Sequence, residues 1–353
     1  LTLNAGIRWD YESPITEADM QQNRGFDPSS PNPFVVPGLQ LKGGLLFVDD
    51  ANPRPFTRDF NNIQPRVGAT YQINERTVVR GGYGLGYLPT FDTGLANGCS
   101  RATPYVASVD GGITPSGKLS NPYPAGLTQP VGNTQGLATL VGNGYTYHNE
   151  GRTIPYVHQF SIGIQRELPW QVVLDASYVG SRTRGYPVAK GIKEITAAQL
   201  ATGTAMLVQV PNPFAGLLPG TTLNGATVPV QQLLRPYPQF TGITEDRRPI
   251  GEIDYNSLQI TFNKRLQRGL QFLVSYTYSD RAQRTEFLAP QNSWDQPLQV
   301  VSGDDAPHRL FISSTYRLPN FNQDKGVLNF LLGGWQMNGI AVWQTGLPVT
   351  VAA

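Results

Sequence analysis

The chain has 353 residues, a mean hydropathy of −0.27 and a formal net charge of +2. Because 27 basic residues are balanced by 25 acidic ones, no basic excess exists that would neutralise the phosphates of a nucleic acid, and no nucleic-acid partner is expected. The 38 glycines and 29 prolines indicate many turns, whereas 15 phenylalanines, 16 tyrosines and only 15% charged residues argue against disorder.

Apolar and polar residues alternate along several segments, which is the period of a β-strand with two different faces. In the first segment Leu3, Ala5, Ile7 and Trp9 fall on one face, and polar residues or glycine alternate with them. The same pattern predicts nine strands in chain order, at Leu1–Tyr11, Arg66–Ile73, Val79–Tyr87, Tyr156–Gln165, Val172–Tyr178, Ser257–Asn263, Leu270–Ser279, His308–Leu318 and Leu332–Thr345.

Long and short connections alternate between these strands. Tight turns are predicted at Asn74–Thr77, Leu168–Trp170 and Leu266–Arg268. Four other connections have roughly 53, 65, 72 and 27 residues, although compact folds rarely use loops longer than about 12–15 residues. A transmembrane β-barrel explains the alternation, because its turns are short on the periplasmic side and its loops are long outside. The predicted fold is therefore all-β, an antiparallel up-and-down transmembrane β-barrel with very long extracellular loops.

Aromatic residues lie near the strand ends, as the two interfacial girdles of a barrel require. Trp9, Tyr83 and Trp170 are examples. Within the third long connection, Lys193–Leu200 and Val230–Leu234 are predicted to form short helices.

Several motifs carry a family resemblance. Pro65–Tyr71 (PRVGATY) followed by Val78–Gly84 (VVRGGYG) resembles a hairpin of TonB-dependent outer-membrane receptors of the Oar-like type. Leu3–Tyr11, Leu234–Phe240 (LRPYPQF) and Ala306–Arg309 (APHR) resemble further segments of that family. The matches keep the family's order from one end of the chain to the other.

The resemblance implies a receptor in the outer membrane of a Gram-negative bacterium, with a barrel of about 22 strands and a plug in its lumen. It implies three partners, namely outer-membrane lipid, an unknown extracellular ligand, and the TonB complex, which is reached through the plug region. Residues 1–353 are interpreted as a partial barrel domain of about nine strands, an internal fragment in which the plug, the TonB box and the C-terminal strands are absent.

Six charged residues are predicted to face the lumen. A charged side chain is tolerated in the water-filled interior of a barrel, whereas on the lipid-facing surface it destabilises the fold. These six residues either line a transport path or stabilise one another and the plug through ion pairs. The six are Arg66, Arg80, Asp175, Arg265, Arg309 and Arg317.

Three other features admit a functional and a structural interpretation. Gly82–Gly86 resembles a phosphate-binding loop but lies inside a strand, where small residues leave room for a plug or let the wall curve. Asp304 and Asp305 near His308 fit a metal site or a solvated turn, and Glu245–Arg248 fits a recognition patch on an outer loop or an ordinary exposed surface. No catalytic constellation is recognisable, so no enzyme, cofactor or metal is predicted.

Three functions remain open from the sequence. The first is a TonB-dependent receptor that binds an external ligand and imports it. The second is a barrel that serves as a scaffold for adhesion, export or assembly through its outer loops. The third is a soluble β-sandwich, which gives no reason for aromatic girdles at the strand ends.

Overall fold

A computed structural model describes residues 1–89, 94–287, 298–301, 305–318 and 334–348, apart from 104, 106, 109, 116 and 125. No helix among these residues has the length and hydropathy needed to cross a membrane. The strands are β1 Thr2–Glu12, β2 Asn23–Pro31, β3 Lys42–Phe47, β4 Asp59–Asn74, β5 Thr77–Tyr87, β6 Tyr145–His148, β7 Tyr156–Leu168, β8 Val172–Gly191, β9 Gln209–Pro211, β10 Thr227–Pro229, β11 Ile243–Gln267, β12 Leu270–Glu286, β13 Leu298–Val301, β14 His308–Arg317 and β15 Gln336–Gln344. The helices are α1 Ala197–Leu200 and α2 Val230–Leu234, with 3₁₀ turns at Gly136–Ala138, Pro169–Gln171, Gly203–Leu207 and Thr222–Asn224.

Nine strands form one antiparallel sheet, called here the wall. Their order is β1-β4-β5-β7-β8-β11-β12-β14-β15, so each wall strand pairs with the wall strand that follows it along the chain. β6 and β13 add short pairings to β11 and β12. Within the described residues β1 and β15 lie at the two edges of the wall and do not pair with each other. The all-β, antiparallel prediction and all nine predicted strands are confirmed.

The register gives the wall two chemically different faces. Residues that pair across neighbouring strands share a face. One row on the apolar face contains Tyr71, Val79, Ile164, Ala176, Ile260, Tyr276, Leu310 and Trp343. The row one residue away, on the polar face, contains Thr70, Arg80, Gly163, Ser177, Gln259, Thr277, Arg309 and Gln344.

β8 and β11 are much longer than predicted, with 20 and 25 residues, and they pair with each other over most of that length. About 9–11 residues suffice for a strand to cross a bilayer, so this hairpin rises beyond the apolar rows. The sequence pattern missed the extension because charged residues replace apolar ones there. Arg184 Nη1, for example, donates to Asp254 Oδ1 at 2.7 Å.

The placement of Glu245–Arg248 in an outer loop is wrong, because this run lies inside β11. Glu245 is buried and accepts from Asn149 Nδ2 at 2.5 Å and from Arg248 Nη1 at 3.3 Å. The acidic side chain therefore fastens the loop before β7 to the tall hairpin, and it is not part of an exposed patch.

Three of the long connections fold together into a second body, called here the loop unit, which comprises the described parts of 13–58, 94–155 and 192–242. It contains the hydrophobic core of the protein, and Phe214 and Phe240 at its centre are fully buried. The core residues of the loop unit are Val36, Leu41, Leu45, Val141, Tyr145, Tyr147, Phe214, Leu218, Leu223, Val228, Tyr237 and Phe240, and Ile243 at the start of β11 packs with them. Each of the three connections contributes to this list, so none of them is an independent loop.

The segment Leu234–Phe240 joins the three connections. Gln239 Nε2 donates to the Lys42 carbonyl at 2.8 Å, and the Gly142 amide donates to the Gln239 carbonyl at 2.8 Å. A Cβ on Gly44 would collide with the backbone of Leu137, so the first and second connections touch at a position that only glycine fits.

The predicted helix Val230–Leu234 is confirmed, whereas only the last four residues of Lys193–Leu200 are helical. A capping box at Thr196, whose hydroxyl accepts from the Gln199 amide, fixes the start of α1. Lys193 and Ile195 precede that cap and are buried, which holds them outside the helix.

Leu45→Ala is expected to open the loop unit. Leu45 is 1% exposed in its core, and removing a buried leucine side chain costs about 2–5 kcal/mol through lost burial and a residual cavity. Pulse proteolysis in urea should detect the loss as earlier cleavage of the loop unit. Leu207→Ala, at a leucine that is 59% exposed, is the matched control and should leave cleavage unchanged. Equal sensitivity of the two variants would show that the loops share no core.

Ile162→Arg is expected to destabilise the wall by about 2–4 kcal/mol, because the predicted lipid face cannot solvate a charge. Ile162 is 60% exposed on the apolar face, and Ser161 next to it is on the polar face. Ser161→Arg should therefore cost less than about 1 kcal/mol, since charge is tolerated in a wet lumen. Urea unfolding from lipid vesicles measures both. Similar losses for the two variants would contradict the assignment of faces.

Candidate functional site

A half-open cavity of about 910 Å³ lies between the three connections of the loop unit. Pockets of roughly 300–1,000 Å³ are typical of small-molecule sites. It is lined by Pro33, Phe34, Gly98, Ser100, Arg101, Ala102, Val131, Gln135, Ala138, Leu140, Val141, Asn143, Gly144 and Leu217–Thr221. All three connections thus contribute to one concave surface.

Backbone contacts fix the shape of this cavity. The Gly132 amide donates to the Gly98 carbonyl at 2.9 Å, and Gly98 has a φ of +95°, which favours glycine. On the opposite wall Leu218 donates its amide to Asn224 Oδ1 at 2.9 Å, and Thr221 Oγ1 donates to the Leu218 carbonyl at 2.9 Å. The cavity is therefore built by turns that internal hydrogen bonds hold in place.

The chemistry of the lining is mixed. Leu140, Val141 and Leu217 provide apolar surface, while Gln135 and Asn143 provide amide groups. In the described part of the lining Arg101 is the charged residue, and no carboxylate accompanies it. A ligand with an apolar portion and an anionic group would match these groups.

Lys193 is a second unusual feature of the loop unit, because its side chain is almost fully buried. Its Nζ donates to Gln232 Oε1 at 3.0 Å, and Gln232 Nε2 donates to the carbonyls of Pro238 and Phe240. Burial first, and then the positive charge of Arg235, lower the pKa of Lys193 to about 7, while the negative charge of Glu194 opposes the change. The amine is thus held close to neutrality inside the loop unit.

Five of the six residues predicted to face the lumen lie on the polar face of the wall. Arg80 and Asp175 form an ion pair of 2.6 Å, and Arg317 Nε donates to Gln336 Oε1 at 3.1 Å on the neighbouring strand. Arg66, Arg80, Asp175, Arg309 and Arg317 follow the register of this face. Arg265 is exposed beside a register shift between Lys264 and Gln267, so pairing does not fix its face.

The phosphate-loop interpretation of Gly82–Gly86 is wrong, because these residues lie inside β5, whereas a phosphate-binding loop needs a glycine-rich turn between a strand and a helix. Gly82, Gly84 and Gly86 lie on the polar face, and a Cβ on any of them would meet only ordinary contacts of 3.6 Å or more within the wall. The packing of the wall itself therefore does not require glycine at these positions.

The proposed metal site near His308 falls partly outside the described residues, since Asp304 is not among them. Asp305 is buried and accepts from Ser279 Oγ at 3.2 Å, and His308 Nδ1 is 2.8 Å from the Tyr276 hydroxyl. Within the described chain no three His, Cys, Asp or Glu side chains form a group that could hold a metal ion.

Sequence reasoning missed the cavity. Its lining comes from segments that have no period of two or of 3.6, and residues far apart in sequence form each wall. The available signal was the segment Leu234–Phe240, which the structure places in the core where the three connections meet.

Comparison with protein families gives one match over the whole chain. Residues 1–353 match the family described as outer membrane beta barrel domain. Comparison with curated proteins gives no match.

Solved structures that resemble the chain include three bacterial receptors. The alcaligin outer-membrane receptor of Bordetella pertussis is 12% identical with a TM-score of 0.36, and the match covers 86% of this chain and 32% of that one. The ferric-catecholate import receptor of Escherichia coli K12 is 13% identical with a TM-score of 0.36, and the match covers 90% of this chain and 30% of that one. The hemophore receptor of Serratia marcescens is 10% identical with a TM-score of 0.38, and the match covers 90% of this chain and 37% of that one. The chain thus spans about a third of the length of these receptors.

The free energy of unfolding of the loop unit is expected to rise with pH from about 7 to about 9. Lys193 has a pKa of about 7 when folded and near 10.5 when unfolded, so the unfolded chain binds more protons within this window. Below pH 7 both states are protonated and the penalty of the buried charge is constant. Above about pH 10 unfolded tyrosines ionise, and burial raises the pKa values of Tyr145 and Tyr147 in the fold, which reverses the trend.

Lys193→Met should abolish the rise and stabilise the loop unit at pH 7 by roughly 1–3 kcal/mol, because it removes the buried amine and keeps an apolar chain of similar length. Pulse proteolysis at pH 6, 7, 8 and 9 measures the effect. Lys118→Met, at an exposed lysine in the second connection, is the control. An unchanged pH profile in Lys193→Met would assign the rise to another group.

Proposed function

Because the chain belongs to the outer membrane beta barrel domain family, we propose that it forms the wall and the outer loops of a TonB-dependent receptor, which binds a ligand outside the cell and imports it. The chain lies in the outer membrane of a Gram-negative bacterium, and its family is one of membrane barrels and not of enzymes. The import step uses energy that the TonB complex delivers through a plug region.

The observation that carries this proposal is the single cavity shared by three connections. Loops that only joined strands would need neither a common core nor a concave site. Here the residues that build the core also form part of the cavity wall, since Val141 and Leu218 belong to both. A preformed site lowers the ordering cost of binding, which favours capture of a dilute ligand from outside.

The polar face of the wall supports passage of a ligand. In this proposal it borders the lumen, where Arg80 and Asp175 neutralise each other and Arg66 and Arg309 remain available to the plug region or to an anionic ligand. Gly82, Gly84 and Gly86 in β5 lie on the same face and have no side chains to project from it. A plug that packs closely against this part of β5 would explain the glycines.

Ala102→Trp and Arg101→Gln test the cavity. Ala102→Trp fills part of it and should abolish uptake, whereas Arg101→Gln removes its charge and should weaken uptake about tenfold if the ligand is anionic. The full-length protein is returned to a deletion strain, and mass spectrometry follows the compounds that the cells remove from their spent medium. Parallel cultures receive a protonophore, which removes the energy source of TonB.

The control is Ala201→Trp, an equal change at an exposed residue of the loop unit that does not line the cavity. Cell adhesion is measured on the same strains. No protonophore-sensitive uptake in the wild type would reject import, and loss of adhesion with the loop-unit variants would then favour the scaffold function.

A further inference from the structure

A second concave site lies on the apolar face of the wall, at the end where the short turns are. It has a volume of about 670 Å³ and lies between the β7–β8 turn, the β11–β12 turn and β14. Its walls are mainly apolar and include Leu168, Val172, Leu270, Phe272 and Tyr316. This groove is far from the loop unit along the strands and is independent of the proposed ligand import.

Lys264 is the unexpected residue in this groove. It pairs with Val172 and Phe272, so it lies on the apolar face that meets lipid in the outer membrane. The side chain is buried, and its Nζ donates to the Trp170 carbonyl at 2.7 Å. An ammonium group has three N–H donors, and within the described chain the other two have no protein acceptor.

Arg268 adds a second positive charge to the rim of the groove. It is exposed in the β11–β12 turn, where it has a φ of +53° and Gly269 after it has a φ of +80°. Two such residues are typical of a tight hairpin, and Arg268 and Lys264 both line the groove. In the described lining no carboxylate is present to pair with either cation.

We propose that this groove binds one phospholipid with an anionic headgroup. Its acyl chain would lie along Val172, Leu270 and Phe272, and its phosphate would accept hydrogen bonds from Lys264 and Arg268. A zwitterionic lipid is disfavoured, because Lys264 and Arg268 would repel the ammonium group of its headgroup. Charge complementarity therefore selects the anionic lipid. Trp170, which is 77% exposed in the adjoining turn, lies at the membrane–water interface, where such a headgroup is found.

The test uses the full-length protein in a non-ionic detergent with equal amounts of phosphatidylglycerol and phosphatidylcholine of the same acyl chains. Native mass spectrometry counts the lipid that each variant retains. The wild type should retain phosphatidylglycerol about tenfold in preference, as expected for charge-assisted contacts. Lys264→Met should abolish the preference, and Arg268→Asn should lower it severalfold while keeping a residue that tolerates positive φ.

Arg76→Asn is the matched control, since Arg76 is an exposed arginine in the short turn between β4 and β5 and does not line the groove. It should keep the preference of the wild type. If Lys264→Met fails to fold, Arg268→Asn alone decides the outcome. Equal retention of the two lipids by the wild type, or an unchanged preference in Arg268→Asn, would overturn the proposal. Displacement of the lipid by inorganic phosphate would show an anion site that does not bind acyl chains.

Discussion

The bilayer offers no hydrogen-bond partners to a backbone, and this constraint explains the wall. Every wall strand must satisfy its amides and carbonyls on neighbouring strands, which is why nine strands follow one another in a single antiparallel order. Once the strands are paired, the period of two places one row of side chains in lipid and the next row on the other face. A row such as Val79, Ile164 and Ile260 is therefore apolar throughout, although Ile164 is exposed and the other two are only half-buried.

Apolar side chains have two opposite roles in this protein. On the wall, large apolar side chains such as Ile162 and Trp343 are exposed on the predicted lipid face, whereas in the loop unit Phe214 and Phe240 are removed from water by protein. The loop unit therefore resembles a small water-soluble domain that is built from three connections. The long paired strands β8 and β11 extend beyond the apolar rows to the loop unit. β6 of the loop unit pairs in parallel with β11.

The two concave sites follow from this division. The cavity of the loop unit lies among polar connections and contains Arg101, as a site for a ligand from outside would. The groove at the short turns lies on the apolar face and contains the buried Lys264, which donates to the Trp170 carbonyl and has no carboxylate in the described lining. Both sites contain a cation without a carboxylate in the described lining, but the lining around Arg101 is mixed, whereas the lining around Lys264 is mainly apolar.

The sequence by itself determined the strands of the wall, their faces and the short turns. The alternation of apolar and polar residues and the turn residues can both be read from residues that are close together in the chain. It also placed Arg66, Arg80, Asp175, Arg309 and Arg317 on one face, since every second residue of a strand points to the same face of the sheet. Only the tertiary structure decided the lengths of β8 and β11, the common core of the loop unit and both concave sites. These depend on contacts between residues far apart in the chain, and such contacts leave no period in the sequence.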